Sequence, residues 1–329
     1  MTGRETYEFI EERLARGETV ILMTVAASAS GSPGKPGFKM AVGADGRLIG
    51  SIGGGSLEYR AVEQARKMLK ADEQNPRIQR QNLDGTAMED GSSMICGGSQ
   101  TIMFYPCKKG DLAVVRRIIA AVDSCQTGAI CFSNGTWGFE ESGQAGVCGI
   151  EFRMDESGEW VYTERLGVPD TVNIFGGGHV CLALSRILAT LDFRILVFDD
   201  RPELPMLEEN RFVDERYYMS FDAAVERVAE GENSYVVIMT PSHRADEDVL
   251  RGLIDKRLKY LGLMASRVKA GELFENLRRY GVSRERLNFV STPVGLPIGS
   301  RTPAEIAVSI AAELIEIRNM PPAPATTIC

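Results

Sequence analysis

Thr171-Val172-Asn173-Ile174-Phe175-Gly176-Gly177-Gly178-His179 reads as a buried strand that runs into a glycine turn and opens a helix. The order of those three parts decides the fold. Gly176 permits the tight turn, and Gly178 lets an anion approach the backbone where the helix begins. A dinucleotide fold wants an acidic residue near the end of the next strand. Asp199 stands there, 23 positions after Gly176, placed to hold a ribose 2′-hydroxyl and so to favour NAD; Arg201 beside it keeps NADP open. Cys181 occupies the third position of the fingerprint, where Gly or Ala is expected. The competing reading is a tight strand-to-helix turn without a ligand.

Downstream the pattern is regular. Helices are expected over 179–190, 220–229, 246–256 and 268–280, and strands over 194–199, 235–240 and 260–263. Strands alternating with helices of this length imply a parallel sheet covered on both faces. Thr302 as N-cap, Pro303 at the first helical position and Glu305 two residues later start a last helix, striped by Ile306, Ile310, Leu314 and Ile317. The fold class is α/β, with a Rossmann-like domain over 171–318 and a proline-rich tail, 319–329, expected to be disordered.

Upstream of the linker at 167–170 the chain is mixed α+β, a separate domain over 1–166. Tyr7, Ile10 and Leu14 mark a helix that Gly17 ends, and 19–26 is a buried strand. Segments 38–42 and 48–52 form a hairpin around Asp45-Gly46, and Gly53-Gly54-Gly55-Ser56 opens a helix to about 69. The polar stretch 74–93 reads as irregular. A strand over 101–105, a helix over 111–122 and short strands between 128 and 166 complete the domain.

Composition narrows the function. A net charge of -8 over 329 residues argues against nucleic acid, whose phosphates demand clustered Lys and Arg. No apolar run reaches the ~20 residues of a membrane span, and the first residues lack a signal-peptide core. Seven cysteines without a C-x-x-C pair fit reduced thiols in a cytoplasm. They also exclude the clustered sulfur ligands of an iron–sulfur redox chain. The two histidines, His179 and His243, both fall where strands meet helices, the crevice in which doubly wound sheets bind ligands. Capping or packing is the plain alternative for both.

Three glycine-rich segments of the first domain are candidate anion sites: Ser32-Pro33-Gly34-Lys35-Pro36-Gly37, the junction Gly53-Gly54-Gly55-Ser56, and Cys96-Gly97-Gly98. Cys96 adds a thiol beside flexible backbone, suited to a soft metal or a sulfur-rich cofactor.

Together these segments resemble the XdhC/CoxI family of accessory proteins for molybdenum hydroxylases. The likeness rests on residues 32–37, 50–58 and 96–98 in the first domain. In the second it rests on 175–180, Asp199-Asp200-Arg201-Pro202, and the closing stretch 293–299 with 302–310. Gly-Gly-Gly stands where Gly-Ala-Gly is usual, Pro241 where a polar residue is common, and Ala265 where Gly is usual. The resemblance implies a molybdopterin-binding chaperone that favours sulfuration of the cofactor and its insertion into an apo xanthine dehydrogenase-type hydroxylase. It implies no catalytic residues and no protein metal ligands. Cys96, with Gly97 and Gly98, carries over as a cofactor contact. A cysteine desulfurase is a further candidate partner, and a homodimer through the second domain a candidate assembly. The rival reading is an NAD(P)-dependent oxidoreductase using His179 or His243 as acid or base.

Overall fold

The computed structural model describes residues 3–29, 31–82, 99–142 and 149–320. The chain divides into two compact units between Val168 and Pro169. In unit 1, α1 (Arg4–Ala15) buries Tyr7, Ile10 and Leu14. The antiparallel strands β1 (Val20–Ser28), β2 (Lys39–Gly43) and β3 (Leu48–Gly50) follow, then α2 (Gly55–Lys70). The sheet is completed by β4 (Arg77–Asn82) and β5 (Ser99–Cys107), in the order β3-β2-β1-β5-β4. Helix α3 (Leu112–Asp123) leads to a second antiparallel sheet of β6 (Gly128–Ser133), β7 (Thr136–Glu141), β8 (Ile150–Met154) and β9 (Trp160–Leu166), ordered β7-β6-β9-β8.

One face of the first sheet packs with α1, α3 and the second sheet around Tyr105, Phe132, Trp137 and Tyr162. Its other face packs on α2 through Ile21, Met23, Ile102 and Phe104. Lys39, with its side chain almost wholly buried, donates to Glu164 Oε1 at 2.7 Å and so ties β2 to β9.

Strand β4 corrects the expectation of an irregular 74–93. Its sequence, Arg-Ile-Gln-Arg-Gln-Asn, lacks an apolar face because it is an edge strand held by its backbone ladder to β5. Positions 83–93 lie outside the described residues. Strand β8 is also new, another edge with a largely exposed side-chain set.

Unit 2 begins with β10 (Thr171–Phe175), α4 (His179–Leu188) and β11 (Arg194–Asp199). Then come α5 (Pro205–Glu208), β12 (Glu215–Tyr218), α6 (Phe221–Arg227), β13 (Gly231–Ile238) and α7 (His243–Leu253). It closes with β14 (Leu258–Leu263), α8 (Arg267–Arg279), α9 (Arg284–Asn288) and α10 (Pro303–Asn319). All five strands are parallel, in the order β12-β11-β10-β13-β14. Numbered within the unit this is 3-2-1-4-5, so the order reverses between β10 and β13. Helices α4 and α10 cover one face with Leu184, Ile310 and Leu314. Helices α6, α7 and α8 cover the other with Val225, Leu250 and Leu273.

Five helices of unit 2 start on a hydroxyl N-cap: Ser220, Ser242, Ser266, Ser283 and Thr302. Capped by Ser242, α7 begins at His243, three residues before the expected Asp246. At Thr302 the cap is reciprocal: Thr302 Oγ1 accepts from Glu305 N at 3.3 Å, and Glu305 Oε2 from Thr302 N at 3.0 Å. Thr302→Ala is expected to cost about 1 kcal/mol, read as a lowered denaturation midpoint by circular dichroism. Helix α10 ends at Asn319, and the rest of the tail, 321–329, lies outside the described residues.

Candidate functional site

In unit 1 the glycine segments meet at the start of α2. Gly53, Gly54 and Gly55 all have positive φ, at 124°, 75° and 68°, a run that few side chains tolerate. The 32–37 loop lies directly against it: a Cβ on Gly53 would stand 2.5 Å from Gly34 N, and one on Gly34 2.3 Å from Ile52 O. Gln100, near the start of β5, locks the two loops together. Its Nε2 donates to Ile52 O at 3.0 Å, while its Oε1 accepts from Ser32 Oγ at 3.1 Å. Lys35 is exposed on this loop. Cys96, Gly97 and Gly98 lie outside the described residues; the strand that follows them brings Gln100 to the junction.

The donors of this junction already have an acceptor. Glu58 Oε2 receives Ser51 Oγ at 2.7 Å, Ile52 N at 2.9 Å and Gly54 N at 3.0 Å. Burial raises the Glu58 pKa, but these donors outweigh it and hold the carboxyl below its ordinary 4.5. Glu58 therefore occupies the place that spacing alone assigns to an external anion. An acid one turn inside a helix that opens on three glycines was the available signal.

In unit 2 the turn after β10 sits at the reversal of strand order. Gly176 has φ 108°, and a Cβ there would lie 2.3 Å from Met239 O, at the end of β13. Gly177 N donates to Asp199 Oδ2 at 2.7 Å. Asp199 is fully buried and also takes Arg201 in a two-pronged pair, Nε to Oδ1 at 2.8 Å and NH2 to Oδ2 at 2.7 Å. Burial raises its pKa, yet the Arg201 side chain and the Gly177 and Arg201 N–H groups leave it below the ordinary 3.8. A ribose hydroxyl would reach this carboxylate only by displacing Arg201.

Gly178 caps α4 with no side-chain partner, and a Cβ on it would meet nothing within 4 Å. No side chain caps the first N–H groups of α4, and the exposed His179 is its first residue. His243 is likewise exposed at the first position of α7, the helix after β13. The buried Asp246 fixes the loop before it by accepting Thr240 N at 3.1 Å and Thr240 Oγ1 at 2.6 Å. Both histidines therefore begin helices on the two sides of the strand-order reversal. Cys181, by contrast, is a core residue of α4, and burial pushes its thiol up to about 12.

The closing stretch is a docking of loop on helix. Glu313 of α10 accepts Tyr260 OH at 2.5 Å, Gly295 N at 2.5 Å and Ser291 Oγ. Gly295, at φ 95°, lies so close to α10 that a Cβ would overlap Ser309 Oγ. Among the described residues, no group of three or more His, Cys, Asp or Glu is placed to hold a metal ion. None of their helices is long and apolar enough to cross a membrane.

An α+β unit followed by a doubly wound parallel sheet with a glycine turn at its switch point defines the class, a two-unit protein with a Rossmann second half. A family model described as the XdhC Rossmann domain matches residues 172–314, and a second, the XdhC and CoxI family, matches 13–80. Together they span more than half of the chain. The chain belongs to the XdhC and CoxI family.

It is 26% identical over 306 residues to protein YqeB of Escherichia coli (strain K12), a match covering 91% of this chain and 44% of the relative. It is 25% identical over 171 residues to a probable xanthine dehydrogenase subunit of Bacillus subtilis (strain 168), covering 48% of this chain and 46% of the relative. These matches span less than half the length of either curated relative. A crystal structure described as a xanthine dehydrogenase from Bacillus halodurans matches with a TM-score of 0.74 at 23% identity, over 94% of this chain and 95% of that one. That likeness is one of fold.

Proposed function

We propose that this chain is an accessory protein that binds the molybdopterin form of the molybdenum cofactor and assists its sulfuration and its insertion into a xanthine dehydrogenase-type hydroxylase. Family membership supports this, as does the likeness to the Bacillus subtilis relative, described as a probable xanthine dehydrogenase subunit. The observation that carries it is the uncapped start of α4, where Gly178 and the first-turn N–H groups suit the phosphate of such a cofactor. His179 stands at the same turn as a further donor. Bound, the cofactor supplies a dithiolene-held molybdenum that the recipient enzyme uses; this chain holds and delivers it. Cys96 is assigned to the same cofactor by the resemblance alone.

The test is reconstitution. Purified chain loaded with cofactor is mixed with apo-hydroxylase, and hydroxylase activity is followed over time. Activation well above that given by free cofactor supports the reading. The parallel strand order and glycine turn also suit an NAD(P)-dependent oxidoreductase. Turnover of NAD or NADP that disappears in His179→Ala or His243→Ala, with no activation of apo-hydroxylase, would establish that alternative. Cys96→Ala is expected to lower the amount of pterin that co-purifies, measured by mass and absorbance; equal retention removes Cys96 from the site.

A further inference from the structure

Asp199 ends β11, the strand beside the glycine turn, where a doubly wound sheet places the acid that reads a nucleotide ribose. Such an acid works through oxygens left open to a hydroxyl donor, and Asp199 has none open. An ionised carboxylate accepts about four hydrogen bonds, and this one takes that many from its own chain. Oδ1 receives Arg201 N at 3.0 Å and Arg201 Nε at 2.8 Å. Oδ2 receives Gly177 N and Arg201 Nη2, each at 2.7 Å. Asp199 is shut away from solvent while the Arg201 side chain is 43% exposed, so the guanidinium covers the carboxylate from outside.

The segment that carries Arg201 is anchored. Glu203 bends it at φ 56°, a conformation uncommon outside glycine. Leu204 and Leu207 then lie against the turn, for a Cβ on Gly177 would stand 3.1 Å from Cδ2 of each. A ribose 2′-phosphate finds no better reception than a hydroxyl. Asp199 and the exposed Asp200 set two negative charges beside one guanidinium, which leaves no net cation to receive it.

We propose that Arg201 is the specificity-determining residue of unit 2, an internal cation that fills the ribose seat and excludes NAD and NADP. The turn has the backbone of a dinucleotide site without a free ribose reader. This inference stands apart from the carrier reading and bears on its rival, since an NAD(P)-dependent enzyme needs the seat that Arg201 fills.

The experiment titrates NAD, NADP and ADP-ribose by calorimetry against the full chain and against Arg201→Ala. Wild type is expected to show no saturable binding up to about 1 mM ligand. Arg201→Ala frees three of the four acceptor positions of Asp199 and should gain at least about tenfold in affinity for NAD and ADP-ribose. NADP should gain least, because its 2′-phosphate then faces a bare carboxylate. Circular dichroism confirms that the variant is folded. Should Arg201→Ala not fold, Arg201→Lys keeps the charge without spanning both oxygens and should show a smaller gain of the same kind. Saturable binding of any of the three ligands by wild type overturns the assignment, as does a folded variant that gains nothing. Reconstitution of apo-hydroxylase is read separately: wild type that binds NAD and still activates the hydroxylase sinks this assignment alone.

Discussion

Gly176→Val is expected to destabilise unit 2 by about 4 kcal/mol, combining overpacking with a forbidden backbone. Two independent costs meet at this residue. At φ 108° an L side chain is strained wherever it points, and its Cβ would lie 2.3 Å from Met239 O. The obstructing atom is backbone at the end of β13, which cannot turn aside as a flexible side chain would. The measurement is urea unfolding followed by far-UV circular dichroism and by tryptophan emission. Both tryptophans, Trp137 and Trp160, belong to unit 1. The dichroism transition should move to lower urea while the emission transition keeps its midpoint. Gly178→Ala is the control, since Gly178 has φ -75° and open space around it; it should cost less than about 1 kcal/mol. Equal stability of Gly176→Val and wild type would mean that the turn does not press on β13 as described.

Asp199→Ala should cost about 3 kcal/mol, because it leaves a buried N–H and a guanidinium without their acceptor. Gly177 N loses its side-chain acceptor, and the half-exposed Arg201 loses its carboxylate partner. The pH dependence carries a sign. The folded-state pKa of Asp199 lies below the ordinary 3.8, so its contribution is complete above that value and is lost as pH falls through the lower, folded one. Wild-type stability should therefore drop below about pH 4, and the difference between wild type and Asp199→Asn should shrink over the same range. A difference constant from pH 7 to pH 3 would show that folding does not lower the Asp199 pKa.

How far the sequence could be read depends on where each signal resides. Strands β10 and β11 match their expected bounds to the residue, because the glycine turn closes β10 and Asp199 ends the apolar run 195–198 of β11. The helix of Thr302 was legible for another reason, since its cap is written in side chains. Edge strand β4 carries its stability in its backbone ladder, so its polar sequence gives no apolar face to find. At the candidate sites, the glycines announced close approach and positive φ, and both are present at Gly53 and Gly176. Which acceptor fills each turn was not legible. Glu58 and Asp199 both turn inward onto their own loops, and spacing cannot distinguish a carboxylate that waits for a ligand from one that replaces it. Gln100 was hidden for a simpler reason. A glutamine in a polar stretch joins two loops only when β5 brings it to the junction.

A carrier of a pterin cofactor should be found with its cargo. The most direct measurement is the mass and absorbance of whatever small molecule accompanies the full chain purified from cells that make molybdopterin. A pterin near one equivalent per chain, released on denaturation, is the predicted result. Protein that emerges free of pterin from such cells, and takes none up when incubated with the isolated cofactor, would contradict it.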